Sequence, residues 1–332
     1  MSGVEDTDPH AAAPTLIVAG NANVDLLLGP LAPWPRPGTE SLVEHATWRV
    51  GGALGNTALA LAGLGIPTRL IWDVGDDMLG DWLAARLASA GDPPRRLAAP
   101  TSLTVALNHP DGERTFVSHL GHLGLSEPDT LASTIEAAAP GDLLLVGGSF
   151  LLPRWRPGLP ALLARARTRG MLTLLDTGWP SEGWSDAVRA EVSAALAHVD
   201  VFLPNLDEAR GLLTAPEATP SQASRRLERL VAGRTVLKLG AAGAAYVDDS
   251  TVSVASAPAI SVADTVGAGD TFNAALLCAL RDAIAWPQAV SLAVEVASKV
   301  VASRPRRYPR WLDTRGRESA ASHALTRSRA AP

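Results

Sequence analysis

Short apolar runs alternate with helical segments through most of the chain, and this alternation constrains the fold more than any other feature of the sequence. Runs that are apolar throughout are typical of parallel strands buried on both faces, whereas half-exposed strands alternate between apolar and polar residues. The sequence therefore predicts an α/β fold with a central, mostly parallel sheet and helices on both of its faces. The apolar runs are TLIVAG at 15–20, TRLIWDVG at 68–75, DLLLVGG, MLTLLDT, VDVFLP and TVLKLG, and the first helices are predicted over about 53–64 and 78–90.

Two stretches interrupt this alternation. Residues from about 22 to 50 combine a short strand, a proline-rich turn around Pro35 and a second strand-like run. Residues 103–120 form a predicted hairpin, because LTVALNH and RTFVSHL stand on either side of a turn sequence, PDGE. Short strands outside the main parallel order predict a small β-sheet lid.

The composition is that of a folded globular protein, and its charge excludes some classes of partner. The chain has 332 residues, is 47% hydrophobic and carries a formal net charge of −5, which gives no reason to expect nucleic acid or an anionic membrane as partner. No apolar run approaches the roughly 20 residues of a membrane-spanning helix, and the first residues are acidic. We therefore expect a soluble cytoplasmic protein that binds neither nucleic acid nor membrane.

The run DTVGAGDTFN at 264–273 predicts a phosphate site that contains an aspartate. An apolar helical pattern follows it, so the glycines should form a helix entrance, where free backbone N–H groups and the helix dipole favour an anion. Asp270 would repel a phosphate at this place. Its carboxylate could take the proton from an attacking hydroxyl, or it could simply cap the first turn of the helix. The run alone leaves both interpretations open.

A second glycine cluster, GGALGN at 51–56, precedes another apolar helix. Gly52 would allow close approach of a ligand, and Asn56 offers both donors and an acceptor to hydroxyl groups. The alternative is a tight turn between a strand and a helix. Asp25 follows an apolar strand and could likewise bind two sugar hydroxyls or make a turn.

Taken together and in order, these motifs resemble the ribokinase-like (PfkB) carbohydrate kinases over roughly residues 15–304. The resemblance implies a three-layer α/β/α ribokinase-like fold with a β-sheet lid. It places the kinase domain at 15–312, between a flexible N-terminus at 1–14 and a flexible tail at 313–332. The matching motifs are GNANVD at 20–25, GGALGN at 51–56, GDD at 75–77 with Gly80, PNLDE at 204–208, KLG at 238–240 with Gly243, and DTVGAGD at 264–270.

The resemblance also implies a role for each matched position. Asp270 would be the catalytic base, and the backbone N–H groups of Gly267, Ala268 and Gly269 would form the anion hole for the transferring phosphoryl group. A helix N-terminus should keep Asp270 ionised, as a base requires. The acceptor would be bound by Asp25, Gly52 and Asn56.

The remaining positions concern the nucleotide and metal. Asn205 and Glu208 match the motif of the magnesium and phosphate network, with Glu208 acting on Mg²⁺ through water. An ordinary helix N-terminus would also suit them. Lys238, Gly240 and Thr265 match positions beside ATP, although Lys238 could instead extend from its strand to solvent.

The resemblance implies ATP-dependent phosphorylation of a hydroxymethyl group of a small sugar, and two alternatives remain open. A nucleoside kinase of the same family would need a flat apolar slot beside Asp25 and Asn56. A sugar- or nucleotide-binding regulator would have lost catalysis. A Rossmann dehydrogenase and a P-loop kinase are disfavoured, because neither glycine signature is present. A homodimer through the lid is a further expectation.

Two departures from the family pattern limit what can be carried over. Many members have a basic residue followed by glycine after the final long helix, where backbone carbonyls help to hold a monovalent cation. This chain has Arg304-Pro305-Arg306 there, and the proline argues against dependence on potassium. The cluster GGALGN also differs from the GGKGAN of ribokinase, so ribose specificity does not follow.

Overall fold

The structure, a computed structural model, describes residues 13–110, 114–248 and 250–315. Its strands are β1 (Leu16–Gly20), β2 (Asn23–Gly29), β3 (His45–Gly51), β4 (Arg69–Ile71), β5 (Asp73–Gly75), β6 (Arg95–Leu97), β7 (Leu103–Asn108), β8 (Arg114–His119), β9 (Leu143–Gly147), β10 (Leu172–Asp176), β11 (Val201–Phe202), β12 (Arg234–Lys238), β13 (Ala244–Asp248) and β14 (Thr251–Ala255). Its helices are α1 (Ala53–Leu64), α2 (Met78–Leu87), α3 (Asp129–Ala137), α4 (Leu159–Thr168), α5 (Asp186–Leu196), α6 (Leu206–Leu212), α7 (Pro220–Leu227), α8 (Ala268–Arg281) and α9 (Trp286–Val301).

The large sheet has the order β14-β13-β12-β11-β10-β9-β1-β4. All pairs from β12 to β4 are parallel, and β13 and β14 are added antiparallel at one edge. The prediction of a mostly parallel central sheet is therefore confirmed. The carboxyl ends of its parallel strands form one edge, where α/β proteins bind ligands.

Helices cover both faces of this sheet, as β1 makes plain. Leu16 and Val18 belong to a core that includes α1, α8 and α9, whereas Ile17 and Ala19 belong to a second core that includes α3, α4 and α5. Successive residues of a strand point to opposite faces, so a strand that is buried on both faces must be apolar at every position. This explains the continuous apolar runs of the sequence.

The prediction of one strand over 68–75 was wrong. The run divides into β4, at the edge of the large sheet, and β5, which pairs with β6 in a separate two-stranded sheet. Asp73 begins the second piece and is buried, where it accepts hydrogen bonds from Arg95 and from Ser126. The apolar residues on both sides of Asp73 conceal this break. The second predicted helix also ends earlier, at Leu87.

The predicted lid is a four-stranded sheet with the order β3-β2-β7-β8. Its register sorts side chains into two rows on opposite faces, because paired residues share a face and neighbours along a strand do not. One row is polar and consists of Arg49, Asp25, Thr104 and Ser118; the next is apolar and consists of Trp48, Leu26, Val105 and Val117. The turn at 111–113 lies outside the described residues.

The C-terminal segment is anchored to the fold beyond α9. The Trp311 side chain is fully buried, and its Nε1 donates a hydrogen bond to Asp282 at 2.8 Å. Of the predicted flexible termini, residues 1–12 and 316–332 lie outside the described residues. Within the part of the chain that the structure describes, no helix is both long enough and apolar enough to span a membrane.

Candidate active site

The first turn of α8 carries the run that the sequence analysis singled out. Gly267 is the N-cap residue and has a φ of 68°, a left-handed conformation that favours glycine. The Ala268 N–H donates to the Thr265 carbonyl at 3.2 Å, so it is already engaged. The N–H groups of Gly267, Gly269 and Asp270 have no acceptor among the described residues. These three donors are available for an anion.

Asp270 lies at the start of α8 and faces α1. The Asn56 side chain lies near its carboxylate and donates its Nδ2 to the Gly52 carbonyl at 3.1 Å, and the Asp270 backbone carbonyl accepts a hydrogen bond from Thr57 Oγ1 at 3.5 Å. Burial and the nearby charge of Asp176 raise the pKa of Asp270 to about 7, although Lys238 and Asn56 act in the opposite direction. A carboxyl whose pKa is raised in this way is ionised over a narrower pH range than an exposed aspartate, so the expectation that the helix N-terminus keeps Asp270 ionised stays a prediction.

Asp176, at the carboxyl end of β10, is the centre of the polar network and was missed by the sequence analysis. Its Oδ2 accepts hydrogen bonds from Lys238 Nζ at 2.7 Å and from Asn273 Nδ2 at 2.6 Å. Asn273 stands three residues after Asp270 on the same helix, so both face this edge of the sheet. An acid that ends a buried parallel strand was the available signal.

Lys238 ends β12 and points into the site rather than to solvent. Its side chain is 13% exposed and forms an ion pair with Asp176. Burial lowers the pKa of Lys238, but the charges of Asp176 and Glu208 outweigh that effect and raise it above its ordinary value. The alternative interpretation, in which Lys238 extends to solvent, was therefore wrong.

Asn205 and Glu208 form a reciprocal capping box at the start of α6. The Glu208 N–H donates to Asn205 Oδ1 and the Asn205 N–H donates to Glu208 Oε2, both at 2.8 Å. Glu208 is only 6% exposed, and burial together with the charge of Asp176 raises its pKa to about 7. Asn205 and Glu208 therefore cap the N-terminus of α6, which was one of the two roles that the sequence left open. The carboxyl of Glu208 also lies close to the charges of Lys238 and Asp176.

A cavity of about 570 Å³ opens beside the first turn of α8. Lys238, Gly240, Thr265 and Gly269 line its polar end, so three of the predicted ATP-site residues lie together; Asn205 is not among the lining residues. The rest of the wall is mostly apolar and is contributed by Pro258, Ile260, Val262, Phe272, Val294 and Val301. An apolar cleft that ends in a lysine and free amides suits a planar base joined to phosphates.

The lid contributes Asp25 on the other side of the site. Asn23 Nδ2 donates to Asp25 Oδ1 at 2.6 Å and to Thr104 Oγ1 at 3.3 Å. Thr104 and Ser118 are joined through their hydroxyl oxygens at 2.9 Å. Burial raises the pKa of Asp25 to about 6, an effect that the Asn23 hydrogen bond and the Arg49 charge limit.

The segment 51–56 connects the Asp25 carboxylate of the lid to the first turn of α8. A Cβ atom at Gly51 would lie 2.2 Å from Asp25 Oδ1, so only glycine leaves room for the Asp25 carboxyl. Gly52 has a φ of 82° and lies against the Asn21 carbonyl. At the other end of the segment, a Cβ atom at Gly267 would lie 3.0 Å from the Asn56 carboxamide. The predicted acceptor residues Gly52 and Asn56 thus lie on one segment, and Gly51 of that segment packs against the third, Asp25.

Arg49 links the lid to the loop at 264–267 and was also missed by the sequence analysis. Its guanidinium forms an ion pair with Asp264, and Arg306 approaches the same carboxylate at 3.6 Å. Burial raises the pKa of Asp264, but the Val266 N–H and the two arginines outweigh it and hold that pKa below its ordinary value. Asp264 therefore remains a carboxylate that ties β3 to the start of α8.

The acids of the site fit a divalent cation that is held mainly by phosphates and water. Asp176, Glu208 and Asp270 lie near one lysine, Lys238, and burial together with the charge of Asp176 raises the pKa of both Glu208 and Asp270. Over residues 13–110, 114–248 and 250–315, no three His, Cys, Asp or Glu side chains are grouped so as to hold a metal by themselves. Mg²⁺ usually retains several waters beside a nucleotide, which suits such a site.

The fold and this site define the chain as an ATP-dependent kinase whose acceptor is an alcohol. A family model described as "pfkB family carbohydrate kinase" matches residues 14–311. The chain belongs to the pfkB family of carbohydrate kinases.

Individual relatives agree with this assignment. A ribokinase of Arabidopsis thaliana is 28% identical over 306 residues, which cover 88% of this chain and 77% of the relative. A fructokinase of Rhizobium leguminosarum bv. trifolii is 30% identical over 279 residues, covering 80% of this chain and 79% of the relative. The solved structure of Arabidopsis ribokinase complexed with ribose and ATP shares the fold, with a TM-score of 0.76, 24% identity, and coverage of 91% of this chain and 98% of that one.

Proposed function

We propose that this protein transfers the γ-phosphoryl group of ATP to a hydroxymethyl group of a small sugar, with Asp270 as the base. The observation that carries the proposal is the position of the Asp270 carboxylate. It contacts Asn56, it lies within the field of Lys238, and it follows directly on the free N–H groups of Gly267 and Gly269. A base, an acceptor-binding amide and an anion hole thus meet at one helix entrance.

The acceptor would bind between the polar row of the lid and the segment 51–56. Asp25 offers a carboxylate to two vicinal hydroxyls, and the Asn56 carboxamide holds a third close to Asp270. Thr104 and Ser118 extend the same row with further hydroxyl groups. A lid that closes on the sugar would exclude water, which otherwise competes as the acceptor.

The nucleotide would place its base in the apolar cavity and its phosphates against the first turn of α8. The N–H groups of Gly267 and Gly269 would stabilise the charge on the transferring phosphoryl group, joined by that of Ala268 once its bond to Thr265 opens. Lys238 would neutralise a phosphate, held in place by Asp176 and, through Asp176, by Asn273. Gly240 and Thr265 would border the nucleotide.

Mg²⁺ would neutralise the phosphates when it is bound with the nucleotide, and Glu208 would hold one of its waters. Asn205 would serve this network by orienting Glu208 through the capping box. The proton of the acceptor hydroxyl would pass to an oxygen of the Asp270 carboxylate as the new P–O bond forms and the bond between the γ-phosphorus and the β-phosphate oxygen breaks, which releases ADP. A pKa near 7 suits a base that works near neutral pH.

The polar character of the lid favours a sugar over a nucleoside. Asn23, Asp25, Thr104 and Ser118 stand together, whereas a nucleobase would need a flat apolar slot at that place. The alternative of an inactive regulator is disfavoured, because the base, the lysine and the free amides are all present together.

The homodimer through the lid and the cytoplasmic location stay predictions. The apolar row of the lid supports the dimer, since Trp48 is 48% exposed and Val117 is 59% exposed at its two ends. A row of exposed apolar side chains on an otherwise polar surface is typical of a protein–protein interaction site.

The test is a panel of acceptors with Mg-ATP, run with the wild type and with Asp270→Asn. The panel comprises free pentoses, hexoses, their phosphate esters and nucleosides. We expect turnover with a small sugar, and a loss of about 10²–10⁴-fold in kcat for the variant, with the affinity for ATP largely retained. Turnover of the best acceptor at the wild-type rate by Asp270→Asn would refute the role of the base.

A further inference from the structure

Arg306 is a largely buried cation beside the anion-hole loop. Its side chain is 18% exposed, and its Nη2 lies 3.6 Å from Asp264 Oδ2. A Cβ atom at Gly267 would lie 3.2 Å from Arg306 Nη1, so the guanidinium packs directly against the residue that caps α8. By contrast, the neighbouring Arg304 is exposed.

The hydrogen-bonding capacity of this guanidinium is only partly used. Nε and Nη2 of Arg306 are buried and have no hydrogen-bond partner within the described residues. Leaving buried charged donors unpaired is costly, typically about 1–3 kcal/mol per group and more for an ion. An arginine stays protonated in proteins, so it cannot escape this cost by losing its proton.

The guanidinium groups that face Asp264 outnumber its one carboxylate. Arg49 and Arg306 share the single carboxylate of Asp264. These two guanidinium groups and the Asp264 carboxylate sum to one positive charge when the ionisable carboxyl of Asp270 is left out of the count. The field of Arg306 also reaches Asp270, where it lowers the pKa of the carboxyl. This excess stands where the phosphoryl group would carry its developing negative charge.

The residues present do not fit a monovalent metal ion. The family resemblance implies that carbonyls of the loop after α9 help to hold such an ion, but here a fixed guanidinium lies at that loop beside Asp264. A second cation close to Arg306 would meet a like charge in a partly buried setting, where repulsion is screened less than in water. The guanidinium of Arg306 therefore already provides a positive charge to Asp264 and to the loop after α9.

We propose that Arg306 is a positioning residue that replaces a monovalent metal ion, so the kinase is independent of potassium. Its guanidinium holds Asp264 and the Gly267 cap in place and adds a permanent positive charge to the anion hole. This inference rests on the proposed function of that anion hole. The cavity of about 780 Å³ that Arg306 lines, together with Arg49, Asn56 and Tyr308, gives small cations access to the place that its side chain would vacate.

The kinetic test uses the best acceptor and compares the wild type with Arg306→Ala, Arg306→Lys and Arg304→Ala. The assay buffer contains tetramethylammonium as its monovalent cation. Each protein is then assayed again after addition of about 100 mM KCl or a few millimolar guanidinium chloride, at matched ionic strength. We expect potassium to change the kcat of the wild type less than about twofold. Without potassium or guanidinium, the kcat of Arg306→Ala should be about 10–100-fold below that of the wild type. Guanidinium or potassium should restore part of that loss, Arg306→Lys should retain more activity, and Arg304→Ala should behave as the wild type.

A second readout needs no turnover and separates this inference from the proposed function. Potassium or guanidinium should raise the Tm of Arg306→Ala relative to tetramethylammonium but leave that of the wild type unchanged, because only the variant has a vacated cation position. Strong activation of the wild type by potassium would overturn the inference, as would full activity of Arg306→Ala. A loss that no cation restores, together with no cation effect on Tm, would show that Arg306 only packs the loop and would also overturn it.

Discussion

Lys238 Nζ lies 2.7 Å from Asp176 Oδ2, and this ion pair joins the ends of two strands of the large sheet, β12 and β10. Asp176 also accepts a hydrogen bond from Asn273 of α8, so the pair fixes the lysine relative to that helix. The lysine is thus held in position by a side chain that need not itself touch the substrate. The same carboxylate raises the pKa of Asp270, which connects the geometry of the site to its dependence on pH.

The first prediction concerns the pH dependence of kcat/KM. Asp270 must be deprotonated to act as a base, and its pKa is raised to about 7, so activity should fall as the pH falls through about 7. Asp176→Asn removes a negative neighbour that raises this pKa and leaves Lys238 unpaired, and both changes should move the acidic limb to lower pH. Profiles of kcat/KM from pH 5 to about 9 would measure this. If kcat/KM falls at the same acidic pH in the wild type and in Asp176→Asn, the assignment of this titration to Asp270 is contradicted.

The second prediction concerns stability. Because burial raises the pKa of Asp270 in the folded state, wild-type stability should decrease as the pH rises from about 4 to about 7. Asp270→Asn removes this penalty and should increase the free energy of unfolding at pH 8 by up to about 4 kcal/mol, with the gain vanishing near pH 4.

Asp282→Asn is the control variant, and the free energy of unfolding of both variants is measured in urea. The pKa of Asp282 is held low, since its hydrogen bonds from Trp311 and Arg281 outweigh burial, so this substitution should destabilise the fold at pH 8. Equal effects of the two substitutions at pH 8 would count against the raised pKa of Asp270.

The third prediction concerns the space that Gly51 leaves for Asp25. A methyl group at Gly51 would collide with the Asp25 carboxyl at 2.2 Å. Gly51→Ala should therefore raise the acceptor KM on the order of tenfold or more, and leave the Kd for ATP unchanged. Gly158→Ala is the control, since no atom lies within 4 Å of its added Cβ. An unaltered acceptor KM in Gly51→Ala would remove Asp25 from the acceptor site.

The fourth prediction separates the two roles of the Asn205/Glu208 pair. Glu208→Gln keeps an oxygen that can accept from the Asn205 N–H but loses the charge. It should therefore raise the Mg²⁺ concentration for half-maximal activity about 10–100-fold while leaving Tm nearly unchanged. Asn205→Ala should instead cost about 1 kcal/mol of stability through the lost cap. If Glu208→Gln shows the wild-type Mg²⁺ dependence, the residue is a structural cap alone.

The fifth prediction concerns the dimer. A charge on the apolar row of the lid should weaken association, so Val117→Asp should shift the sedimentation coefficient towards that of a monomer. Phe116→Asp is the control, because Phe116 is the adjacent exposed residue of β8 and points to the opposite face. A wild-type protein that sediments as a monomer at all concentrations would dispose of the lid dimer.

The sequence predicted the parts of the fold and site that depend on local pattern. The parallel sheet followed from the apolar runs, the entrance to α8 followed from its glycines, and α1 has the predicted bounds, Ala53–Leu64. Asp270, Asn56 and Lys238 stand together as their motifs implied. Their protonation could not be predicted in the same way, because the pKa of Asp270 depends on burial and on Asp176, which is distant in the sequence.

The residues that were missed owe their roles to long-range pairing. Arg49 reaches Asp264 only because the register of β3 against β2 places it beside Asp25, and one strand alone does not reveal which face will meet the large sheet. Likewise, the sequence around Arg306 does not show that its guanidinium lies beside Asp264, because the two residues are distant in the sequence. The broken strand at Asp73 was concealed because its buried partners, Arg95 and Ser126, come later in the chain.

The register of the lid also limits how this chain can change in length. Arg49 and Trp48 are adjacent, yet Arg49 belongs to the polar row of the lid and Trp48 to the apolar row on the opposite face. A single-residue insertion or deletion within β3 would exchange them, presenting an indole where a guanidinium binds Asp264. The connection at 30–44 belongs to neither strand, so length changes there leave both faces intact. Insertional scanning of the lid should therefore find tolerance in that connection and loss of activity one residue inside β3.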